Sequence, residues 1–479
     1  MVTMTTPQDP QVLLRSKSYL GLLILAAVLG APVSAAAYGF LQLVAYLQGQ
    51  VFTHLPNGLG FHGAPPWWPL PVLTLAGLLV APVIRFLPGT GGHSPADGFK
   101  AGEGAPTAAQ LPGVLFAALA SLALGVVLGP EAPLIAVGGG LAVLAVRAAK
   151  RDMPARATAV VAAAGSFAAI STLFGSPIAG AFLLMEASGL GGPMLGVVLL
   201  PGLLASGVGA LIFVGLDSLT GFGTFSLSVP GLPHFARPDI AEFGWALVIG
   251  VAAAIVGTAI HRLGLLIRPQ VERRILLLTP VVGLLIAGLT IAYTEGTGKS
   301  SSDVLFSGQS ELGPLISNAA TYSVGALLLL LACKGLAYGA SLSSFRGGPT
   351  FPALYLGAAG GIALSHLPGL PLVPAVAMGI GAMSAVMLRL PLTSVLLATL
   401  LLFSDGLAVM PLVIVAVVVA YVASARLIPA PSPAAAPAPG AAAAAPAAVP
   451  PQVPAHEPAT PPAGRASSPD RDAGQKRPP

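Results

Sequence analysis

Apolar residues form long runs that cover most of residues 18–428. A helix that crosses the bilayer needs about 20 apolar residues, so this length has room for well over ten membrane segments. Gly and Pro interrupt several runs, which leaves them too short or too broken to be straight spans. We therefore predict an all-α polytopic membrane protein with discontinuous, tilted intramembrane helices. The predicted segments are 19–48, one that ends near 87, 111–128, 133–146, 158–185, 192–215, 240–267, 275–293, 315–340, 351–365, 372–403 and 408–428.

The composition divides the chain into three parts. Residues 1–17 are polar, and we expect an uncleaved cytoplasmic segment. Residues 18–428 are expected to form one transmembrane domain with two halves, at about 18–215 and 240–428. Residues 429–479 are rich in Ala and Pro and then in charged residues. Such a composition cannot bury a core, so we expect a disordered tail.

The overall composition excludes a soluble globular protein. Hydrophobic residues make up 55% of the chain and charged residues 8%, and the mean hydropathy is +0.86. The net charge is +5, but many basic residues lie in short connections and the C-terminal region. There the lipid bilayer is the expected partner and nucleic acid is not. The single cysteine, Cys333, excludes an internal disulfide and a cysteine metal cluster. We predict no cofactor and a location in the cell membrane.

One acidic residue, Glu131, interrupts the apolar sequence between residues 129 and 142. A carboxylate at bilayer depth costs a few kcal/mol or more, so it commonly faces a cavity or a transport pathway. Pro130 and Pro133 flank it, and both suit the first turn of a helix. The free N–H groups and the dipole of a helix start attract anions. Glu131 therefore either caps its own helix or belongs to an anion pathway.

Two pairs of short motifs indicate an internal repeat. Residues 133–138 resemble 352–357 at a separation of 219 residues, and residues 176–182 resemble 390–396 at a separation of 214. Their common order and similar separation predict two related halves. Matched Gly and Pro interruptions in two halves are the best sequence indication of a transport site built from discontinuous helices.

Four stretches follow the order and spacing of motifs in one known family. They are Gly129–Pro133 with Gly138 and Gly139, Gly175–Gly180 with Glu186, Gly347–Pro352, and Gly381–Thr393. These resemble, in turn, the G-(K/R)-E-G-P, N-A-P-L-A-G, G-x-F-x-P and G-A-x-x-A-x-x-R-x-P-L-T motifs of the CLC family. From about residue 89 to 425, the chain resembles these chloride channels and chloride/proton antiporters, in the form of bacterial members without cytoplasmic CBS domains.

This resemblance implies a CLC-type inverted repeat and a homodimer with one chloride pathway in each subunit. Helix N-termini from both halves would converge on a central anion, and Glu131 would be the gate, as in the family's voltage-gated channels. Backbone N–H groups hold a chloride ion without a full countercharge, so the ion can leave again. The positions implied to contact the anion are Gly92, His93, Ala132, Thr350 and Phe351.

Several anion donors of the family have no counterpart here. Gly92 takes the place of the family's serine if the prolines are aligned, although Ser94 or Thr90 could substitute after a shift. Pro349 takes a place whose backbone N–H faces the anion in the family, and proline has no N–H group. These losses predict weak central binding.

For several other residues that could line the pathway, a structural role is favoured over a functional one. The family's pore tyrosine has no evident counterpart, because Tyr421 lies too early and Tyr355 is expected to be a packed core residue. Lys334 and Arg389 lie in apolar segments, where a basic side chain more often snorkels or pairs with a neighbour than binds the permeant ion.

The inner glutamate of proton-coupled members is also displaced. The alignment puts Ala187 at its position and Glu186 one residue earlier. One residue is about 100° of rotation on a helix, so Glu186 would point elsewhere and is only a possible proton path. We therefore predict passive chloride permeation that opens in acid. The alternatives are a chloride/proton antiporter and a non-conducting scaffold. Enzymatic activity is not expected, since no nucleophile with a base, metal spacing or nucleotide loop is evident.

Overall fold

The computed structural model describes residues 12, 14–98, 105–149, 154–171, 173–174, 176–189, 193–223, 233–235, 237–401 and 406–427. Within these ranges the chain is helical, and the only β-type pairing is an isolated bridge between Gly129 and Gly348. The predicted C-terminal tail and most of the predicted N-terminal segment lie outside the described residues.

The helices are named here in chain order. They are α1 (Lys17–Gly49), α2 (Leu55–Gly58), α3 (Pro69–Phe86), α4 (Leu111–Ala123), α5 (Glu131–Ala149), α6 (Ala155–Ala169), α7 (Pro177–Ala187), α8 (Pro193–Thr220), α9 (Ile240–Arg273), α10 (Ile275–Thr297), α11 (Leu312–Ser317), α12 (Val324–Ser344), α13 (Thr350–Ser365), α14 (Leu372–Leu388), α15 (Pro391–Leu401) and α16 (Gly406–Leu427). A π-helical turn at Gln50–His54 joins α1 to α2, and short 3₁₀ turns occupy Pro88–Gly91 and Pro95–Asp97.

Eight helices of the described chain are long and apolar enough to cross a membrane. Six more apolar helices have only 10–17 residues, and they include α4, α6, α7, α13, α14 and α15. These short helices are the discontinuous intramembrane elements that the interrupted hydrophobic pattern predicts, so the predicted all-α membrane fold is confirmed.

The prediction of one segment over 372–403 is wrong. The chain forms two helices there, α14 and α15, because Arg389 adopts a left-handed conformation with φ of 58°. Pro391 then begins α15, and a proline suits the first turn of a helix but not its interior. The predicted segment 158–185 divides in the same way into α6 and α7, with Pro177 at the start of α7.

The helix boundaries extend the sequence repeat to four consecutive elements. Helices α5 to α8 begin at residues 131, 155, 177 and 193, and α13 to α16 begin at 350, 372, 391 and 406. The four offsets are therefore 219, 217, 214 and 213 residues. Helices α7 and α15 both begin with proline, Pro177 and Pro391. The two halves thus share their element order as well as their motifs.

The centre of the protein is the packed pair α13 and α14. Helix α14 is buried from Val373 to Leu388, and the first fourteen residues of α13 are buried except Gly360. The two backbones approach closely at Gly357 and Gly379, where a Cβ on either glycine would overlap the carbonyl oxygen of the other. A side chain at Gly357 would push the helices apart, because a backbone carbonyl cannot rotate away like a side chain.

We expect Gly357→Ala to lower the midpoint of thermal unfolding of the purified protein, because overpacking costs about 1–3 kcal/mol. The matched control is Gly360→Ala, on the same helix, where a Cβ would meet nothing within 4 Å. Alanine is favoured over glycine in a helix by up to about 1 kcal/mol, so the control should melt at the wild-type temperature or above. Equal midpoints for the two variants would contradict this packing.

Candidate anion pathway

Three loops meet where the two halves of the chain touch. They are the loop before α5, the loop before α13 and the loop of residues 89–95. The Gly129 N–H donates to the Gly348 carbonyl at 2.7 Å, and the Gly348 N–H donates to the Gly129 carbonyl at 2.6 Å. A third bond between the halves runs from the Arg346 N–H to the hydroxyl of Ser121 at 3.3 Å. These bonds fix the start of α5, which follows Gly129, against the start of α13, which follows Gly348.

The Glu131 carboxylate reaches across this junction to the N-terminus of α13. Its side chain is fully buried, and Oε1 accepts a hydrogen bond from the Thr350 N–H. A helix N-terminus carries roughly half a positive charge, so it stabilises a carboxylate there. The partner lies in the other half of the chain, 219 residues away, so Glu131 does more than begin its own helix.

The Glu131 carboxylate is incompletely satisfied in this position. Its Oε2 atom has no hydrogen-bond partner among the described residues, and the neighbouring Thr350 hydroxyl has none either. Gly129 and Gly348 make room for the carboxylate, since a Cβ on either residue would overlap it. The site therefore holds a carboxylate closely but leaves part of its hydrogen-bonding capacity unused.

The loop of residues 89–95 places the two predicted anion contacts Gly92 and His93 differently from each other. The Gly92 N–H donates to the Gly89 carbonyl at 2.8 Å, so the turn itself uses this donor, whereas His93 is exposed. Thr90 has a left-handed φ of 50°, and the Ser94 hydroxyl is buried without a partner among the described residues. The anion-binding roles of Gly92 and His93 remain predictions.

The other predicted contacts lie at helix starts. Ala132 is the second residue of α5, and Phe351 is the second residue of α13. The Phe351 ring stacks on Phe174 of the first half, with ring centroids 5.4 Å apart. Pro349 caps α13, and its carbonyl accepts a 2.7 Å hydrogen bond from the buried Tyr338 hydroxyl. This bond turns the Pro349 carbonyl toward Tyr338 and orients the helix start.

Glu186 binds a second helix N-terminus, that of α15. Its carboxylate accepts hydrogen bonds from the Leu392 N–H at 3.0 Å, from the Thr393 N–H at 2.8 Å and from the Thr393 hydroxyl at 2.7 Å. These three donors engage both oxygen atoms. The carboxylate is therefore committed to capping a helix of the other half of the chain.

Lys334 and Tyr355, which the sequence analysis considered as possible pathway residues, belong to a buried polar cluster. The Lys334 ammonium contacts the backbone carbonyls of residues 303–306 at 3.0–3.4 Å and lies 4.4 Å from the centroid of the Tyr355 ring. The Tyr355 hydroxyl donates to Asp303, as do Tyr293 and Tyr322. Burial, followed by the nearby Asp303 carboxylate, raises the pKa of Tyr322, so its hydroxyl remains a donor. Lys334 thus pairs with carbonyl groups rather than snorkelling.

Sequence reasoning did not single out two of the residues at the junction. Arg346 directly precedes the third motif, and its Nε donates to the Thr90 carbonyl at 3.1 Å. This arginine lies just outside the motif, which begins at Gly347. A charged residue next to a motif is a signal that could have identified it. Tyr338 carried no signal, because an aromatic residue in an apolar helix is usually part of the core.

The comparisons with known proteins agree with this architecture. The family model described as voltage gated chloride channel matches residues 72–425. This chain belongs to that family, the CLC family. A relative in Escherichia coli O1:K1 / APEC, named "Putative ion-transport protein YfeO", is 31% identical over 351 residues, which are 73% of this chain and 80% of the relative. A protein of the same name from Shigella boydii serotype 18 shows the same identity and coverage.

Solved CLC structures share the fold at low sequence identity. A slow cyanobacterial Cl⁻/H⁺ antiporter has a TM-score of 0.63 at 19% identity, and the match covers 85% of this chain and 94% of the antiporter. A CLC-type fluoride/proton antiporter has a TM-score of 0.59 at 19% identity, with coverages of 85% and 95%. The chain is therefore a multi-pass membrane protein of the CLC fold, and anion transport is the activity of its family.

We expect Glu186→Ala to lower the thermal midpoint, because removal of a helix-capping acceptor costs about 0.5–2 kcal/mol. The control is Glu295→Ala, which removes an exposed carboxylate near the end of α10. The control should melt like the wild type. A wild-type midpoint for Glu186→Ala would show that the cap contributes no stability.

Proposed function

We propose that this CLC protein conducts chloride or a similar small anion passively and that the Glu131 carboxylate gates the pathway. The observation that carries this proposal is the hydrogen bond from the Thr350 N–H to Glu131. A helix N-terminus that accepts a carboxylate also suits a chloride ion, because both are anions that bind N–H donors. The side chain and the permeant ion would then compete for one position.

The unequal bonding of the two carboxylates supports Glu131 as the part that moves. Glu131 accepts one hydrogen bond from Thr350 and leaves Oε2 without a partner among the described residues. Glu186 accepts three hydrogen bonds from the start of α15. A buried acceptor without a partner costs about 1–3 kcal/mol, so Glu131 has less to lose on leaving its position.

The difference in hydrogen bonding between Glu131 and Glu186 also favours passive conduction over proton coupling. A proton relay needs an inner acid that can take up and release a proton, and Ala187 occupies the expected position. Glu186 lies beside it, but its carboxylate is held at the start of α15 by the backbone N–H groups of Leu392 and Thr393. Glu186 thus makes a poor relay group.

Chloride/proton antiport is the second candidate. Two solved proteins of the same fold are a Cl⁻/H⁺ antiporter and a fluoride/proton antiporter, and Glu186 is the carboxylate that would replace the missing inner acid. The non-conducting scaffold has less support, because the N–H donors of Thr350 and Phe351 are retained at the start of α13.

The decisive experiment uses liposomes that contain the purified protein and a high internal concentration of KCl. Valinomycin carries potassium out, a chloride electrode records efflux, and a pH electrode records proton movement in the same sample. We expect chloride efflux without uphill proton movement. A fixed ratio of protons to chloride would instead establish antiport, and no efflux of any anion from correctly folded protein would leave the scaffold.

Acid should open the pathway, because protonation removes the charge that holds Glu131 at the helix end. We expect the wild-type rate to rise by up to about tenfold per pH unit, as the titration of one carboxylate allows. Glu131→Gln has no charge to titrate, so its rate should be independent of pH and at least equal to the wild-type rate at neutral pH. The control Glu186→Gln should keep the acid response. A wild-type acid response in Glu131→Gln would exclude this gate.

The proposal includes a homodimer with one pathway in each subunit. Light scattering of the purified protein in detergent should therefore give twice the chain mass of 47.6 kDa after correction for bound detergent. A single chain mass at every concentration tested would contradict the dimer without affecting the gate.

A further inference from the structure

Arg346 is a buried cation to which the gating scheme assigns no role. It lies in the loop between α12 and α13, and only 8% of the residue is exposed. Removing a charge from water costs several kcal/mol, so buried charges are normally paired with an opposite charge. The partners of Arg346 therefore need an explanation.

The protein satisfies only part of the guanidinium group. Its Nε donates to the Thr90 carbonyl and its Nη1 donates to the Phe345 carbonyl, each at 3.1 Å. Both acceptors are uncharged backbone groups. The third nitrogen, Nη2, has no hydrogen-bond partner among the described residues. Since a guanidinium carries five N–H donors, at least the two on Nη2 are available to a ligand.

No carboxylate of the described residues forms an ion pair with Arg346, and the described acidic groups that act on it from a distance are Asp97 and Glu272. Arg268 pairs with both of these carboxylates and itself repels the Arg346 guanidinium. A mobile anion is the ligand that would satisfy both the positive charge and the vacant donors.

Arg346 lies close to the loop of residues 89–95, in which Gly92 takes the place of the family's serine. Its Cγ atom is 3.6 Å from the position that a Cβ on Gly91 would occupy. In the other direction, Arg346 lies four residues before Thr350, which limits the distance to the start of α13 to about 14 Å. Through its bond to the Thr90 carbonyl, Arg346 thus joins the loop of residues 89–95 to the segment that leads into α13.

We propose that Arg346 binds the transported anion through Nη2, beside the carbonyl of Thr90. It thereby supplies a donor where the serine hydroxyl and the Pro349 N–H are missing. The identity of the anion rests on the proposed function. The guanidinium spreads its charge over three nitrogens, and two of them are already committed to carbonyl groups. The anion is thus held by one nitrogen and by charge, which lets it exchange.

The first test locates the anion in the unaltered protein. Wild-type protein is crystallised in bromide, and the anomalous scattering of bromine is mapped. We expect a bromide ion within hydrogen-bond distance of the Arg346 guanidinium. Bromide sites elsewhere in the pathway with none at Arg346 would overturn the proposal.

The second test measures chloride binding to purified protein by calorimetry. Loss of a hydrogen bond to a charged group should weaken binding by about tenfold or more in Arg346→Gln. Arg346→Lys keeps the charge but loses the planar fork, so it should bind with intermediate affinity. The control Arg268→Gln removes a nearby cation that is already paired, and its affinity should change less than about twofold.

Two results of this titration would overturn the proposal. One is wild-type affinity in Arg346→Gln, and the other is equal weakening in Arg268→Gln, which would indicate a general field effect. Size-exclusion profiles and thermal midpoints show whether each variant is folded. If Arg346→Gln does not fold, the bromide position in the wild type decides.

Failure of this proposal differs from failure of the proposed function. If the protein does not transport anions, chloride still binds to the wild type more tightly than to Arg346→Gln, while no efflux is seen. If Arg346 does not bind the anion, efflux still depends on Glu131, and the affinity is unchanged by Arg346→Gln.

Discussion

The candidate pathway is organised around one buried contact between the two halves of the chain, the hydrogen bond from the Thr350 N–H to the Glu131 carboxylate. A carboxylate can lie inside an apolar protein only where donors and positive potential replace water. The start of α13 provides both, and the bridge between Gly129 and Gly348 holds that helix end beside α5. The two glycines have no side chains to occupy the space that the carboxylate needs. The site that holds the Glu131 carboxylate thus needs motif residues from both halves of the chain.

A carboxylate bound at a helix N-terminus of the other half occurs twice, with different consequences. Each of two carboxylates in the first half binds the N-terminus of a helix in the second half, Glu131 at α13 and Glu186 at α15. Three donors satisfy Glu186, whereas Oε2 of Glu131 is left without a partner among the described residues. Glu186 therefore has a fuller set of donors than Glu131, and this difference is what the proposed gate uses. Because both residues are glutamates, residue type alone does not distinguish the two contacts.

Buried cations show a parallel contrast. The Lys334 ammonium is surrounded by four backbone carbonyls and lies over the Tyr355 ring, so its environment is complete. The Arg346 guanidinium has two carbonyl partners and a third nitrogen with none among the described residues. A complete shell indicates a structural role, and an incomplete one indicates a place for a ligand. This criterion separates the two residues where burial does not.

The sequence by itself determined the class of protein, the internal repeat and the identity of the central carboxylate. Each of these depends on local information: hydrophobic runs long enough for a bilayer, prolines that begin helices, and one acidic residue among apolar neighbours. The repeat was visible in two motifs and extends to four helices, because Pro and Gly mark helix starts directly in the chain.

Tertiary structure alone decided which groups those residues meet. Thr350 lies 219 residues from Glu131, and Leu392 lies 206 residues from Glu186, so no local pattern could pair them. The break at Arg389 needed a left-handed backbone that a periodic pattern does not reveal. The burial of Arg346, and the lack of a partner for its Nη2 among the described residues, also emerge only in the folded chain. Pairing, burial and unsatisfied donors arise from contacts between distant segments, and for that reason they required the folded chain.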